Sequence, residues 1–432
     1  MARTAKLTLD DRTLDLPLVR GADGEEAVDL SGLRGRGLVA IDDGLRHTVL
    51  TKSAITYVDG ERGVLRYRGI AIEELAARSN FVETSFLLIY GHLPSREELD
   101  KFHDLLTDNA ALHESFKYHF EGFPVDAPPM AMLSSMVSTL ACFYHRPKEK
   151  AVDDLREIDV FDEEAAWLLS KVRTIAAYSY RRSMGLPFIY TDPRLSYAGD
   201  FLHMMFSEPF REYVAPEATV EALNQLLILH ADHEMGGSTT TVRVVGSSRA
   251  NLFASCAAGI SSLWGPVHGG ATIAVVELLE SIQRGEMTAE QVIARARERK
   301  DGFRLAGFGH PVYRSMDPRA KILRRIAERL LGNNPGAEPL LDIALDLEAK
   351  AAADAYFADH RLFPNADFYN GIVMRAIGIP RDMYSVFFAI GRMPGWIAHW
   401  REQAADPNLR IIRPRQLYVG PDETQYTPID AR

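Results

Sequence analysis

The chain has 432 residues, of which 47% are hydrophobic and 25% are charged, and its formal net charge is -10. This length allows two or three domains with a sizeable buried core, and the composition is typical of a soluble globular protein. The acidic balance, without any block of basic residues, argues against nucleic acid as a partner.

The cysteines and the N-terminal sequence both indicate the cellular compartment. Its two cysteines, Cys142 and Cys256, lie in apolar helical patterns, which predicts a reducing compartment and no disulfide framework. The stretch from Met1 to Asp11 alternates in charge and lacks the apolar core of a signal peptide. No run approaches the roughly 20 apolar residues that span a bilayer. We therefore expect a cytoplasmic protein without a membrane partner.

The front of the chain contains the predicted β-structure. Residues 1–52 are rich in Gly, Asp and Arg and include short alternating stretches at Lys6–Leu9 and Leu38–Ile41. Alternation indicates strands, so this region is predicted to be a small β-containing N-terminal appendage. A hairpin is predicted directly after it, because the alternating stretches 55–58 and 64–67 flank an Asp-Gly sequence that favours turns between strands.

From Ile72 onward the apolar spacing is helical almost throughout. The predicted helices cover residues 72–91, 96–115, 128–145, 161–184, 198–206, 217–234, 250–264, 270–284, 288–299, 318–332, 337–356, 367–377 and 381–401. Ser95 and Thr288 precede helices as capping residues, and Asp317 precedes a proline at a first helical position. The fold is therefore predicted to be mainly α, with a minor β element at the front.

Four segments interrupt the helical pattern with residues that can carry chemistry. The first contains His230, Asp232, His233 and Glu234 at a predicted helix end, just before two glycines. The two histidines share a helix face, but the order of residues matches neither HExxH nor HxxEH, so no metal site is predicted. A histidine near a helix C-terminus favours its charged form, which would suit an anionic substrate.

The second segment is Trp264-Gly-Pro-Val-His268-Gly-Gly. Glycine and proline are unfavourable inside helices. Their concentration around one imidazole therefore predicts a turn that holds His268 at a helix start, with the backbone close to a ligand. From this motif alone, an ordinary helix-to-helix turn in which His268 has no functional role is an equally good interpretation.

The third segment runs from Arg304 to Arg319 and includes Gly-Phe-Gly directly before His310, followed by Arg314. Its glycines do not form GxGxxG and no strand precedes them, which disfavours a dinucleotide-binding fold. The segment is instead predicted to be a loop that brings its backbone close to a ligand, while its arginines supply hydrogen-bond donors.

The fourth segment places Asp367 after a proline and among aromatic residues, which could remove water from the carboxylate and raise its pKa toward the range of a general base. Arg392, Arg413 and Arg415 follow further along the chain. Arginine forks bind carboxylates, histidines polarise carbonyls, and one carboxylate can take a proton. This set describes carbon–carbon bond formation at an enolisable thioester better than hydrolysis, and no GxSxG, P-loop or paired CxxC motif is present.

These segments carry a family resemblance. The sequences HADHE, SSLWGPVHGG, GFGHPVYRSMDPRA, PNADFY, GWIAHW and RPRQLY occur in the order and at the spacings of the citrate synthases, from residue 50 onward. The chain resembles the longer bacterial branch of that family, whose members are often hexamers built from dimers. The resemblance implies a large helical domain, residues 53–268 and 377–432, and a small helical domain, residues 269–376, that closes over the substrates.

The resemblance also implies a reaction and its residues. Acetyl-CoA would condense with oxaloacetate, and citryl-CoA would be hydrolysed to citrate and CoA. The implied catalytic residues are His268 on the thioester oxygen, His310 on the oxaloacetate carbonyl, and Asp367 as the base. The implied binding residues are His233, Arg319, Arg392 and a partner subunit's copy of Arg413 for oxaloacetate, with Arg304 and Arg314 for CoA. No metal or prosthetic group is implied, and the chain is expected to form a homodimer or homohexamer.

The sequence departs from common bacterial members at a few positions. It has Met235–Gly237 where many read Gln-Asn-Ala, Thr272 where many have Asn, Pro311 where a basic residue is common, and Ser315-Met316 in place of Asn-Tyr. These departures lie beside the loops expected to face the acceptor and CoA. They therefore bear on the choice of acyl donor and not on the fold.

Two alternatives stay open at this point. The nearest is a 2-methylcitrate synthase that uses propionyl-CoA, because one methylene in a pocket changes binding by only about 1–3 kcal/mol. The other, of a different class, is a non-catalytic paralogue that binds acyl-CoA or a carboxylate and acts in regulation. The presence of Asp367, His268 and His310 argues against this second alternative.

Overall fold

A computed structural model describes residues 3–10, 12–144, 158–331 and 339–432 of the chain. The chain divides into two compact units, Met1–Ala54 and Ile55–Arg432. The first unit contains one sheet and no α-helix among its described residues, whereas the second contains another small sheet and all the α-helices of the described ranges. The prediction of a mainly helical fold with a minor β part is confirmed.

The first unit contains a three-stranded antiparallel sheet in the order β1-β2-β3. Its strands are Thr4–Leu9 (β1), Arg12–Arg20 (β2) and Glu26–Val28 (β3). The predicted strand at Lys6–Leu9 lies within β1 and is confirmed. The predicted strand at Leu38–Ile41 is wrong: the stretch has no regular structure, and three of its four side chains are exposed. Among the described residues no strand pairs with this stretch, so its alternating apolar side chains have no sheet face against which to pack.

The second unit opens with the predicted hairpin, which is confirmed. The sheet is antiparallel and consists of Thr56–Asp59 (β4), Val64–Tyr67 (β5) and Ile70–Ala71 (β6). Asp59 pairs with Val64 across the turn. In β5, the buried Tyr67 places its hydroxyl 2.9 Å from the carbonyl oxygen of Asp232. The hairpin is therefore hydrogen-bonded to the first of the four predicted segments, which contains Asp232.

Helices make up most of the second unit. They are Ile72–Arg78 (α1), Phe81–Tyr90 (α2), Arg96–Asp108 (α3), Glu114–Glu121 (α4), Pro129–Phe143 (α5), Ile158–Ser183 (α6), Tyr197–Phe206 (α7), Glu217–His230 (α8), Gly237–Gly246 (α9), Leu252–Leu263 (α10), Ala271–Gln283 (α11), Ala289–Glu298 (α12), Pro318–Leu331 (α13), Pro339–Ala353 (α14), Ala355–Asp359 (α15), Ala366–Ile377 (α16) and Tyr384–Ala404 (α17). The predicted caps at Ser95 and Thr288 form full capping boxes, and Pro318 begins α13.

Three predicted helices are each divided in the structure. The helix predicted over 337–356, whose first two residues lie outside the described ranges, becomes α14 and α15, with Asp354 capping the second. The predicted helix 72–91 breaks before Asn80, whose side-chain oxygen accepts from the backbone N–H of Glu83 at 2.9 Å and caps α2. The predicted helix 96–115 ends at Asp108, and α4 begins separately at Glu114. Apolar spacing continues across these breaks because consecutive helices bury side chains in the same core, and local capping decides where each helix begins.

The region after His230 also differs from its prediction. Helix α8 ends at His230 rather than at residue 234, because Glu234 adopts a positive φ of 57° that a helix cannot contain. Helix α9 was not predicted, since Gly, Ser and Thr at its start have low helix propensity. It forms because it buries Val242 and packs against α10 and α17.

Helix α17 organises the core beneath the predicted segments. It packs against α8, α9 and α10, and nearly all of its side chains are buried. Its glycines allow very close approach to the chain after α8: a Cβ on Gly391 would lie 2.8 Å from the Cβ of His230, and one on Gly395 would lie 2.3 Å from the carbonyl oxygen of Ala231. This contact holds Arg392 directly beneath the first segment.

Neither cysteine forms a disulfide; Cys256 is buried and Cys142 is exposed. Both lie in helices, Cys142 in α5 and Cys256 in α10, as the sequence pattern indicates. Across the described ranges, no helix is both long and apolar enough to cross a membrane.

Candidate active site

The loop between α12 and α13 presents the ring of His310. Its backbone is held by two hydrogen bonds to the loop before α16, from Gly309 N to Phe363 O and from Asn365 Nδ2 to Gly309 O, both 2.8 Å. The Nδ1 of His310 accepts from the backbone N–H of Val312 at 3.0 Å. In the neutral ring the proton therefore resides on Nε2, which is free to donate to a ligand oxygen.

His233 faces His310 across a cluster of three rings. The ring centroids of the two histidines lie 5.2 Å apart, and His233 Nε2 lies 3.2 Å from the hydroxyl of Tyr313. Burial, with the nearby Arg319 and His310, lowers the pKa of His233 well below its usual value. The expectation of a charged histidine here is wrong, since desolvation outweighs the helix C-terminus.

Asp317 joins two parts of the site. It accepts from Arg319 through Nε at 3.1 Å and Nη2 at 2.8 Å, and it also accepts from the backbone N–H of Ala366 at 3.1 Å. Burial alone would lower the pKa of Arg319, but the adjacent carboxylate outweighs it and the pKa is raised. One buried carboxylate thus ties the guanidinium to the start of α16, where Asp367 follows.

Asp367 lies in the first turn of α16 and is partly buried. Its backbone N–H donates to the capping side chain of Asn365 at 3.0 Å, and its Oδ1 accepts from Thr272 Oγ1 at 2.6 Å. Burial raises the pKa of Asp367, against the opposing effects of Thr272 and Arg319. The geometry provides an oriented carboxylate whose basicity exceeds that of an exposed aspartate.

The turn that carries His268 depends on its glycines. A Cβ on Gly269 would lie 2.3 Å from Leu263 O, and one on Gly270 would lie 2.6 Å from Pro266 O. His268 Nε2 accepts from the backbone N–H of Ser238 at 3.2 Å, so in the neutral ring the proton is on Nδ1. Burial, then the charge of Arg392, lowers the pKa of His268 to about 4.

Arg392 is a buried cation at the floor of this region, with 2% of its surface exposed. Its Nε donates to His230 O at 2.6 Å, and its guanidinium lies 4.9 Å from the ring centroid of Phe388. Among the described residues, no carboxylate lies within ion-pair distance of it. A Cβ on Gly236 would lie 3.9 Å from Arg392 Nη1 and 4.0 Å from His268 Cε1, so both side chains flank that glycine.

The predicted site residues fall into two groups. The structure brings together His233, His268, His310, Arg319, Asp367 and Arg392 through the contacts above. The side chains of Arg304, Arg314 and Arg413 are exposed, and no described contact links them to this set. In the described part of the chain, no group of His, Cys, Asp and Glu side chains is arranged to hold a metal ion.

Comparison with known proteins gives this arrangement its family. A sequence model of the citrate synthase C-terminal domain matches residues 44–415, which is most of the chain. The chain belongs to the citrate synthase family. It is therefore an acyltransferase, and the resemblance found from the sequence motifs is confirmed.

Individual members of the family agree over nearly the full length. Citrate synthase 1 of Mycobacterium tuberculosis, from strains CDC 1551 and H37Rv, is 44% identical over 430 residues, covering 99% of both chains. Among solved structures, the Thermoplasma acidophilum citrate synthase in a ternary complex with carboxymethyl coenzyme A and oxaloacetate matches with a TM-score of 0.81 and 31% identity, covering 91% of this chain and 100% of that one. Pyrobaculum aerophilum citrate synthase matches with a TM-score of 0.79 and 31% identity over 100% of both.

Several residues that build this candidate site were not predicted from the sequence. Asp317 was noted only as a helix cap, and Ser238 was not noted. Thr272 was noted only as a departure from the family pattern, although its hydroxyl contacts Asp367. Each acts through a contact between distant segments, and the unusual residue at position 272 was the one signal available.

The histidines of the site are expected to stay neutral at physiological pH. The pKa values of His268 and His310 are lowered by burial to about 4, from 6.5 for a free ring. Between these values the unfolded chain binds more protons, so stability is greatest above pH 6.5 and falls as the pH is lowered toward 4. Ring ¹⁵N NMR with thermal melts across this range tests the expectation. A ring in the folded protein that titrates near 6.5 contradicts it.

Proposed function

We propose that the protein condenses acetyl-CoA with oxaloacetate and hydrolyses the resulting citryl-CoA to citrate and CoA. The observation that carries this proposal is the buried guanidinium of Arg392, which forms no ion pair with a described carboxylate, although the charge of Asp232 favours its ionised form. A buried charge is costly unless it is paired, so a bound carboxylate is a fitting counter-ion. A dicarboxylic 2-oxo acid supplies one carboxylate for Arg392 and another for Arg319.

The enolisation step uses Asp367 and His268. The carboxylate of Asp367 removes a proton from the methyl group of acetyl-CoA, and the electron pair moves onto the thioester oxygen. The Nδ1–H of His268 stabilises that oxygen, because Nε2 is already occupied by the N–H of Ser238. A neutral imidazole suits this role, since it donates one hydrogen bond from a fixed atom.

The condensation step uses His310. The new enol carbon attacks the 2-oxo carbon of oxaloacetate and forms the carbon–carbon bond, while the oxygen of that carbonyl takes up negative charge and then a proton. The Nε2–H of His310 donates to this oxygen, as its Nδ1 accepts from the loop backbone. Water then cleaves the thioester, giving citrate and CoA. His233 completes the acceptor site beside His310 and Tyr313.

We extend the proposal to the wider arrangement. The small domain, residues 269–376, closes on the large domain, residues 53–268 and 377–432, and excludes water from the thioester. Arg304 and Arg314 are exposed beside the His310 loop, where they can meet the phosphates of CoA. Arg413 lies in an exposed, non-helical C-terminal segment and reaches the oxaloacetate of a partner subunit in a homodimer or homohexamer. We propose a cytoplasmic location.

The acyl donor is tested by measuring CoA release with oxaloacetate and either acetyl-CoA or propionyl-CoA, under matched conditions. We expect a clear preference for acetyl-CoA, in agreement with the relative named citrate synthase 1. A preference for propionyl-CoA would assign the protein to the 2-methylcitrate synthases instead. Release of CoA from neither thioester by the folded protein would reject the proposed function.

A further inference from the structure

We infer that His230, Asn370 and Thr272 form a directional hydrogen-bond relay that orients the Asp367 carboxylate, with Thr272 as its positioning residue. The inference rests on the proposed function, because it takes Asp367 as the base of that reaction. The relay links α8, α16 and α11 to the site.

The direction of the relay is set at its far end. His230 Nδ1 lies 2.7 Å from the carbonyl oxygen of Leu226, and a carbonyl can only accept, so Nδ1 carries the hydrogen. Burial lowers the pKa of His230 to about 3, so the ring is neutral and its Nε2 is an acceptor. Asn370 Nδ2 lies 3.1 Å from that Nε2 and donates to it. The neutral ring therefore fixes which way the amide points.

The second hydrogen of the same amide nitrogen continues the relay. Asn370 Nδ2 lies 3.3 Å from Thr272 Oγ1 and donates to it. The Thr272 hydroxyl then directs its own hydrogen to Asp367 Oδ1 at 2.6 Å. The ionised carboxylate can only accept, so the order of donors matches the form of Asp367 that acts as a base.

Packing makes the relay rigid. His230, Thr272 and Asn370 are all buried. Gly371 lets α16 approach α11, since a Cβ there would lie 2.3 Å from Val276 Cγ2 and 3.2 Å from Thr272 Cγ2. The Asn370 Oδ1 has no hydrogen-bond partner among the described residues. A buried polar atom without a partner is unfavourable, so the two hydrogen bonds donated by the amide nitrogen must offset the cost of the unpaired oxygen.

The charges around Asp367 determine the sign of the expected effect. Among the described residues, the charged and titratable groups that face α16 are Asp317, Arg319 and Arg324 from α13 and the loop before it, His230 from α8, Glu348 from α14, and Glu280 from α11, which pairs with Arg375 near the end of α16. The uncharged Thr272 also comes from α11. Burial raises the pKa of Asp367, while Thr272 and Arg319 favour the ionised form. Without the Thr272 hydroxyl the carboxylate becomes harder to ionise, and the base is lost at a higher pH as the medium is acidified.

The test compares Thr272→Val, which removes the hydroxyl, with Thr272→Ser, which keeps it. The matched control is Thr174→Val, because Thr174 is a buried threonine of α6 whose hydroxyl donates to Ala110 O, in the segment between α3 and α4. We expect T272V to move the acid limb of the kcat/KM profile up by about one pH unit and to lower kcat about tenfold, with little change in KM. T272S and T174V should keep the wild-type limb.

A second readout separates this inference from the proposed function. Protein labelled with ¹³C at aspartate carboxyls is titrated by NMR, and D367N assigns the Asp367 signal. We expect that signal to titrate at higher pH in T272V than in the wild type. If the wild type releases no CoA, the proposed function fails, and this titration still decides the relay. Should T272V not fold, Asn370→Leu is expected to shift the signal in the same direction. An unshifted limb and an unshifted signal would overturn the inference.

Discussion

Replacing Asp367 with asparagine is expected to lower kcat by about 10²- to 10⁴-fold while oxaloacetate still binds. The amide keeps the size of the side chain and the helix cap supplied by Asn365, but it cannot take a proton from the thioester methyl group. The base acts only in the chemical step, so its loss reduces turnover rather than acceptor affinity. Steady-state kinetics with acetyl-CoA and direct calorimetric binding of oxaloacetate measure the two effects separately.

The matched control for this change is Asp359→Asn, which alters an exposed carboxylate at the end of α15. It should leave both kcat and oxaloacetate affinity at wild-type values. Wild-type turnover by D367N would show that another group removes the proton. A simultaneous loss of oxaloacetate binding and of thermal stability would show that Asp367 acts in the fold instead.

Replacing Arg392 with glutamine is expected to weaken oxaloacetate binding by about 30-fold or more, because losing one partner of a desolvated charge pair costs about 2–5 kcal/mol. Arg392 is buried and has no carboxylate partner among the described residues, so the substrate is the group that would lose its counter-ion. Arg392→Lys keeps the charge but not the planar fork, and it should recover only part of the affinity. Isothermal titration of oxaloacetate measures both variants.

Arg401→Gln is the matched control for Arg392, since both belong to α17, donate to a backbone carbonyl and lie against an aromatic ring. Arg401 contacts Ile89 and Tyr90 of α2, so its loss should change stability but not oxaloacetate affinity. Equal weakening by R401Q and R392Q would mean that the effect comes from the packing of α17. Unchanged binding in a folded R392Q would remove the main support for a carboxylate site.

Much of the fold followed from local patterns in the sequence. The Asp-Gly hairpin, the capping boxes at Ser95 and Thr288 and the proline at the start of α13 depend on residues close together in the chain, and these predictions are confirmed. Helix α9 depends on burial between α10 and α17, which its glycines and threonines do not indicate. Tertiary packing outweighed local propensity there.

The candidate site shows the same division. Motifs identified the six side chains that the structure brings together, because each motif surrounds its residue with glycines, prolines or aromatics. The sequence favoured a charged His233, whereas burial beside Arg319 and His310 lowers its pKa and favours the neutral ring. That burial arises only when distant segments come together in the folded site. The contacts of Thr272 with Asp367 and Asn370 join residues about a hundred positions apart, and no spacing rule reveals them.

The most direct test of the proposed chemistry is to follow methyl-¹³C acetyl-CoA with oxaloacetate and the wild-type protein by NMR. Formation of a carbon–carbon bond predicts that the label appears in a methylene carbon of citrate, with one CoA released for each citrate formed. Label recovered in free acetate would show a thioesterase that does not condense its substrates. Label remaining in acetyl-CoA, with folded protein and bound oxaloacetate, would equally contradict the account.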